Sequence, residues 1–163
     1  MDINHQTFNS GEFFLQFDMD KSILLCKIRH DSKDKILWAK KLNDIYCLLD
    51  ILEDRDRFYV ACEINDLDGK FIALDKSTGT TAWFIPGRPY FQTQFDQSLF
   101  IIFIDASHAY YLLRVDSEKG AALWHHRIEE DLCEYSFNSS RILLQYRSGR
   151  TEKLNPLSGK MIF

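Results

Sequence analysis

A chain of 163 residues with 45% hydrophobic and 14% aromatic content carries enough apolar material to bury a core without metal staples. Its 20 Lys and Arg against 24 Asp and Glu give a net charge of −4, which argues against the concentrated basic surface that a nucleic-acid backbone demands. The longest apolar run, 99–104, stops at Asp105 and is far short of the ~20 residues of a membrane helix, so neither nucleic acid nor membrane is an expected partner.

The opening MDINHQTFNSGEFF has no basic stretch, apolar segment or small-residue cleavage site, and the expected location is cytoplasmic. From there the chain reads as short runs rich in Val, Ile, Phe, Tyr and Thr, bounded by turn residues and without helical period. The first unit, about 1–42, has runs at 3–8, 12–17, 23–28 and 35–40. The second, about 45–86, has them at 46–52, 57–64, 70–74 and 80–85, with a polar insert at 63–69. The third, about 90–128, has runs at 91–95, 99–104, 110–115 and 121–127, the first two separated by a turn at 96–98. The fourth, about 131–163, has them at 132–137, 142–146, 152–154 and 160–163. The expected fold is all-β, with four repeats of a four-stranded antiparallel sheet in a single repeat domain over 1–163.

A motif accompanies the period. Asp75, Gly79 and Trp83 repeat as Asp116, Gly120 and Trp124, an Asp-x3-Gly-x3-Trp frame, and the frame returns as Asn155, Gly159 and Phe163. A looser form runs from Arg29 through Asp31 and Asp34 to Trp38. Trp38 to Trp83 is 45 residues, Trp83 to Trp124 is 41, and Trp124 to Phe163 is 39, the period of a four-stranded propeller unit. Each position has a mechanical use: Asp closes a turn on backbone N–H groups, Gly takes positive φ, and the aromatic packs between neighbouring sheets.

This motif resembles the repeat of the pyrroloquinoline-quinone-like (quinoprotein-type) β-propeller family, best at Lys70 to Trp83 and Tyr111 to Trp124. The family's rings commonly have seven or eight blades, so the resemblance implies that four units either close alone or form half of an eight-bladed ring completed by a homodimer. A half ring leaves an apolar sheet face at each end, and such faces find partners. The enzymes of the family are secreted and hold quinone and calcium. This sequence has neither an export signal nor an adjacent cysteine pair, so no cofactor is expected.

The remaining residues offer little chemistry. His125 and His126 are neighbours on one strand and point to opposite faces, which prevents them from sharing a metal. Asp18 to Ser22 and Asp66 to Gly69 superficially suggest calcium loops, but their twelfth positions are Arg29 and Ser77 rather than Glu. No nucleophile elbow, phosphate loop or zinc-binding helix motif occurs. Cys26, Cys47, Cys62 and Cys133 lie in apolar runs, where a reduced thiol acts as a small hydrophobe and a poor nucleophile. Catalytic, cofactor and metal residues are therefore expected to be absent.

Two surface segments stand out for partner binding. Arg88, Tyr90 and Phe91 follow the Pro86-Gly87 punctuation and are residue types that anchor protein interfaces, and Glu129, Glu130 and Asp131 form an acidic run. The expected function is a non-enzymatic scaffold that holds a protein partner. Alternatives are a cytosolic immunity protein that neutralises a toxin, and an enzyme acting on a small molecule in a propeller channel.

Overall fold

The computed structural model describes residues 4–95 and 97–163. Ile3, the start of the first expected run, and Asp96, in the 96–98 turn, lie outside the described residues. No helix occurs among those described; fifteen strands build four antiparallel sheets, each from consecutive strands. The first holds β1 (His5–Ser10), β2 (Phe13–Asp18), β3 (Ile23–His30) and β4 (Lys33–Lys41). The second holds β5 (Cys47–Glu53), β6 (Arg57–Glu63), β7 (Gly69–Asp75) and β8 (Thr81–Pro86). The third holds β9 (Arg88–Phe95), β10 (Ser98–Ile104), β11 (Tyr110–Val115) and β12 (Ala122–Ile128), and the fourth β13 (Leu132–Phe137), β14 (Ile142–Tyr146) and β15 (Thr151–Leu154).

The fourth sheet differs from expectation. The run 160–163 does not form a strand, and its pairing is reduced to one bridge between Leu154 and Met161. Asn155-Pro156 follows β15, and Met161, Ile162 and Phe163 are all exposed, so no apolar face holds these residues against the sheet.

The chain divides into two compact units, residues up to Arg88 and residues from Pro89 onward. In the first, alternation along the strands places Leu15, Phe17, Leu24 and Cys26 on one face of sheet one, where they share a buried cluster with Leu48, Phe58, Val60, Ile72 and Leu74 of sheet two. Two reciprocal bonds fasten β1 to β5: the Gln6 side-chain amide donates to the Leu48 carbonyl at 2.8 Å, and the Leu48 N–H donates to Gln6 Oε1 at 2.8 Å. The second unit repeats the plan, with Phe100, Ile102, Leu112 and Ile128 packed on Ile142, Leu144, Tyr146 and Leu154.

The repeat motif has a single geometry wherever it is complete. In the three turns Gly79, Gly120 and Gly159 donate to the carbonyls of Asp75, Asp116 and Asn155 at 2.8 Å each. Asp75, Asp116 and Asn155 in turn donate to the carbonyls of Thr80, Ala121 and Lys160 at 2.8 to 2.9 Å. The glycine φ values are 73°, 72° and 68°, in the left-handed region that a side chain disfavours.

At Trp38 and Trp124 the aromatic position serves the next sheet. Trp38 of sheet one lies on Gly79 of sheet two and donates its indole N–H to the Lys76 carbonyl at 2.7 Å. Trp124 of sheet three lies on Gly159 of sheet four and donates to the Pro156 carbonyl at 3.0 Å. A Cβ at either glycine would stand 2.5 Å from the indole, so Gly79 and Gly159 also make room for the preceding sheet's tryptophan.

Sheet one departs from the frame at its own turn. β3 and β4 are joined by two residues, Asp31 and Ser32, both at positive φ (49° and 64°), in place of the longer Asp-x3-Gly turn. Trp38 still reaches the equivalent place, opposite Cys26 beside a register shift, just as Trp83 and Trp124 stand beside shifts in β7–β8 and β11–β12.

Candidate functional site

The acidic run and Tyr110 meet at one end of the third sheet. β11 begins at Tyr110, opposite Ile128 at the end of β12, so the turn preceding β11 and the connection following β12 come out side by side. They enclose a cleft of about 280 Å³ lined by Tyr110, Arg127, Glu129, Glu130 and Asp131, with His108 at its lip.

Local hydrogen bonds fix both walls. Asp105 Oδ1 accepts from the N–H groups of Ser107 (2.8 Å) and Ala109 (3.0 Å) and from the Ser107 hydroxyl (2.7 Å). Those donors, the Ser107 hydroxyl foremost, hold the carboxyl below its ordinary pKa of 3.8. On the other wall Asp131 Oδ2 accepts from Ser148 N–H at 3.0 Å, and its carbonyl accepts from Arg147 N–H at 2.9 Å. Asp131 therefore anchors the connection, while Glu129 and Glu130 are exposed.

Tyr90, 58% exposed on β9, sets its ring edge-on to Tyr110 with centroids 6.5 Å apart. Tyr110, with Tyr90 packed on it, thus lines the cleft together with Glu129 and Glu130, and Arg127 and His108 are the cleft's basic side chains. The arrangement suits a cationic or aromatic-cationic side chain.

The other expected contact residues lie elsewhere. Arg88, in the first unit, donates to the Asp66 carbonyl at 2.5 Å and pairs with Glu63 at 3.7 Å, so it braces the polar insert. Phe91 packs into the second unit's core, 4.5 Å from the Tyr135 ring and 5.8 Å from Phe137. The expected loop at 88–91 is the start of β9, because Gly87 at φ 125° completes the turn and the run that follows pairs with β10. Of that segment only Tyr90 reaches the cleft's neighbourhood.

The thiols divide. Burial raises Cys26 to about 11 and Cys62 to about 12, and burial with the adjacent Glu63 raises Cys47 to about 11. Cys133 is exposed, at the register shift between Leu132 and Glu134, and Cys47 is half-buried, so of the four thiols expected in the core only Cys26 and Cys62 are buried. Among the described residues no group of three or more His, Cys, Asp or Glu side chains is placed to hold a metal.

Sequence reasoning missed one polar network. Glu152 Oε2 accepts from the Tyr146 hydroxyl at 2.6 Å and lies 3.1 Å from His126 Nε2, while Arg150 stands 4.5 Å over the Tyr146 ring. Burial and the adjacent carboxylate push the Tyr146 phenol well above its ordinary range. The only sequence signal is the i, i+2 spacing of Arg150, just before β15, and Glu152 within it.

No family model matches the chain, and no curated protein matches it. Solved structures do. BamB from Moraxella catarrhalis is similar over 94% of this chain and 49% of its own, with a TM-score of 0.67 and 16% identity. Quinohemoprotein alcohol dehydrogenase from Comamonas testosteroni is similar over 97% and 34%, with a TM-score of 0.61 and 14% identity. The fold is of β-propeller type. A computationally designed protein, Ika4, is similar over 91% of this chain and 88% of its own, at a TM-score of 0.61 and 8% identity. The chain thus spans about half the length of BamB and a third of the dehydrogenase, and matches most of the designed protein.

Proposed function

We propose that the chain is a non-enzymatic interaction scaffold of β-propeller type and that the edge formed by Tyr90, Tyr110, Glu129 and Glu130 takes a Lys- or Arg-bearing segment of a protein partner. The observation that carries this reading is a cleft lined by Tyr110 and two exposed carboxylates, with walls fixed by hydrogen bonds on both sides and the exposed Tyr90 ring packed edge-on to Tyr110. Rigid walls lower the ordering cost of binding, and opposite charge accelerates encounter. The test is co-purification of native partners on the wild-type chain and on a Tyr90→Ser, Glu129→Gln, Glu130→Gln variant. The same protein should be retained by the first and lost by the second, and its retention should weaken as salt rises from about 50 to about 500 mM. Equal retention on both chains would rule out the cleft as the binding site.

The proposal extends to assembly, with two copies completing one ring. Its support is the half-length match to BamB and the outer face of sheet one, where Phe14, Lys27 and Ile36 stand in one cross-strand row and Leu25 joins the next. Ile36 is 55% exposed there.

A further inference from the structure

A second cleft lies in the first unit, where the connection from β4 to β5 crosses the face of sheet two. Its floor is apolar and closed: Leu42 is 4% exposed, Ile45 3% and Ile72 6%. Backbone bonds hold that floor in place, Leu42 N–H to the Ser22 carbonyl at 2.8 Å and Ile45 N–H to the Leu42 carbonyl at 3.3 Å. One wall is Phe84, directly opposite Ile72 in the sheet and 55% exposed, a large ring left uncovered beside a buried floor.

The charge around it has one sign. Lys40 and Lys70 line the cleft, and among the described residues neither has a carboxylate partner. The Lys70 ammonium stands 5.4 Å from the Phe84 ring centroid, a cation–π contact that leaves its N–H groups available to an anion. Lys41 also lines the cleft, but its ammonium donates to the Lys21 carbonyl and so is engaged elsewhere. The nearest acid in the connection, Asp44, is not among the lining residues.

We infer that this cleft binds a small organic anion with a flat apolar body, of the aromatic carboxylate class, its ring laid on Ile72 against Phe84 and its carboxylate between Lys40 and Lys70. The volume, about 290 Å³, lies at the lower end of small-ligand sites and fits one or two fused rings. Two ammonium groups beside an apolar floor favour a carboxylate over a neutral ring, because opposite charges at the cleft strengthen each other's hydrogen bonds.

The probe is 2-naphthoate, titrated into the full chain and followed by amide NMR shifts of residues 41–45, with 2-naphthylmethanol as the uncharged counterpart. Naphthoate should shift those amides saturably and bind at least about tenfold more tightly than the alcohol, as expected for loss of charge-assisted bonds. Lys40→Met with Lys70→Met, which keeps the apolar stems, should erase that preference while leaving the thermal midpoint unchanged. Absence of saturable shifts, or equal binding of acid and alcohol by the wild-type chain, would overturn the assignment. The comparison of the two ligands on unaltered protein remains decisive even if the variant fails to fold.

Discussion

Two glycines with the same backbone conformation separate two requirements. Gly79 (φ 73°) and Gly11 (φ 57°) both occupy the left-handed region, but a Cβ on Gly79 would meet Trp38 at 2.5 Å and one on Gly11 meets nothing within 4 Å. Gly11→Ala should therefore cost only the backbone preference, about 1 kcal/mol. Gly79→Ala adds a steric clash with an indole whose N–H is fixed on the Lys76 carbonyl, and should cost about 2–4 kcal/mol. Urea unfolding of the two variants checks the difference, and equal losses would show that the indole does not hold the turn. The sequence revealed both partners of this contact but assigned Gly only its φ. Which sheet's tryptophan lies on which glycine is a long-range fact that no local spacing contains.

At the scale of the turn, one carboxylate oxygen organises several donors. Asp75 Oδ1 accepts from the N–H groups of Ser77 (2.9 Å) and Thr78 (3.0 Å) and from both hydroxyls, and these bonds, the Ser77 hydroxyl first, lower its pKa from 3.8. A folded-state pKa below the unfolded one means the charge contributes stability above about 3.8, and this is lost as pH falls through the folded value. Asn155 makes the same turn with an amide oxygen, accepting from Leu157 N–H at 2.8 Å and Ser158 N–H at 3.1 Å. Asp75→Asn combined with Asp105→Asn should therefore preserve the fold at about pH 7 and flatten the decline in urea midpoint between about pH 5 and about pH 2. A decline parallel to wild type would show that the two carboxylates carry no acid sensitivity. These turns were legible because Asp and Gly at fixed offsets act locally. The short hairpin at Asp31-Ser32 and the missing strand at 160–163 were less so, since two non-glycine residues at positive φ and an apolar run without a partner face carry no local mark.

For the whole molecule, the alternation of apolar residues made the sheets readable almost strand by strand, while the cleft depended on the pairing of Tyr110 with Ile128 and on Tyr90 standing beside Tyr110. The acidic run was visible in sequence. Its neighbours were not, because they lie about 20 and 40 positions away in the chain. Ring completion by a second copy predicts a solution mass of twice 19.2 kDa, persisting on dilution in light scattering, and lower on replacing Ile36 with Glu. A single-chain mass at all concentrations would leave the sheet-one face to some other cover.

The proposed partner binds at the edge formed by Tyr90, Tyr110, Glu129 and Glu130. The most direct measurement of this is selection of peptides from a random display library on the intact chain, followed by competition on the Tyr90→Ser, Glu129→Gln, Glu130→Gln variant. Lys- and Arg-bearing sequences should be enriched, with affinity that falls at least about tenfold on the variant and declines with salt, as charge contacts require. Selected peptides of no common charge, or peptides that bind the variant as tightly as the wild type, would contradict it.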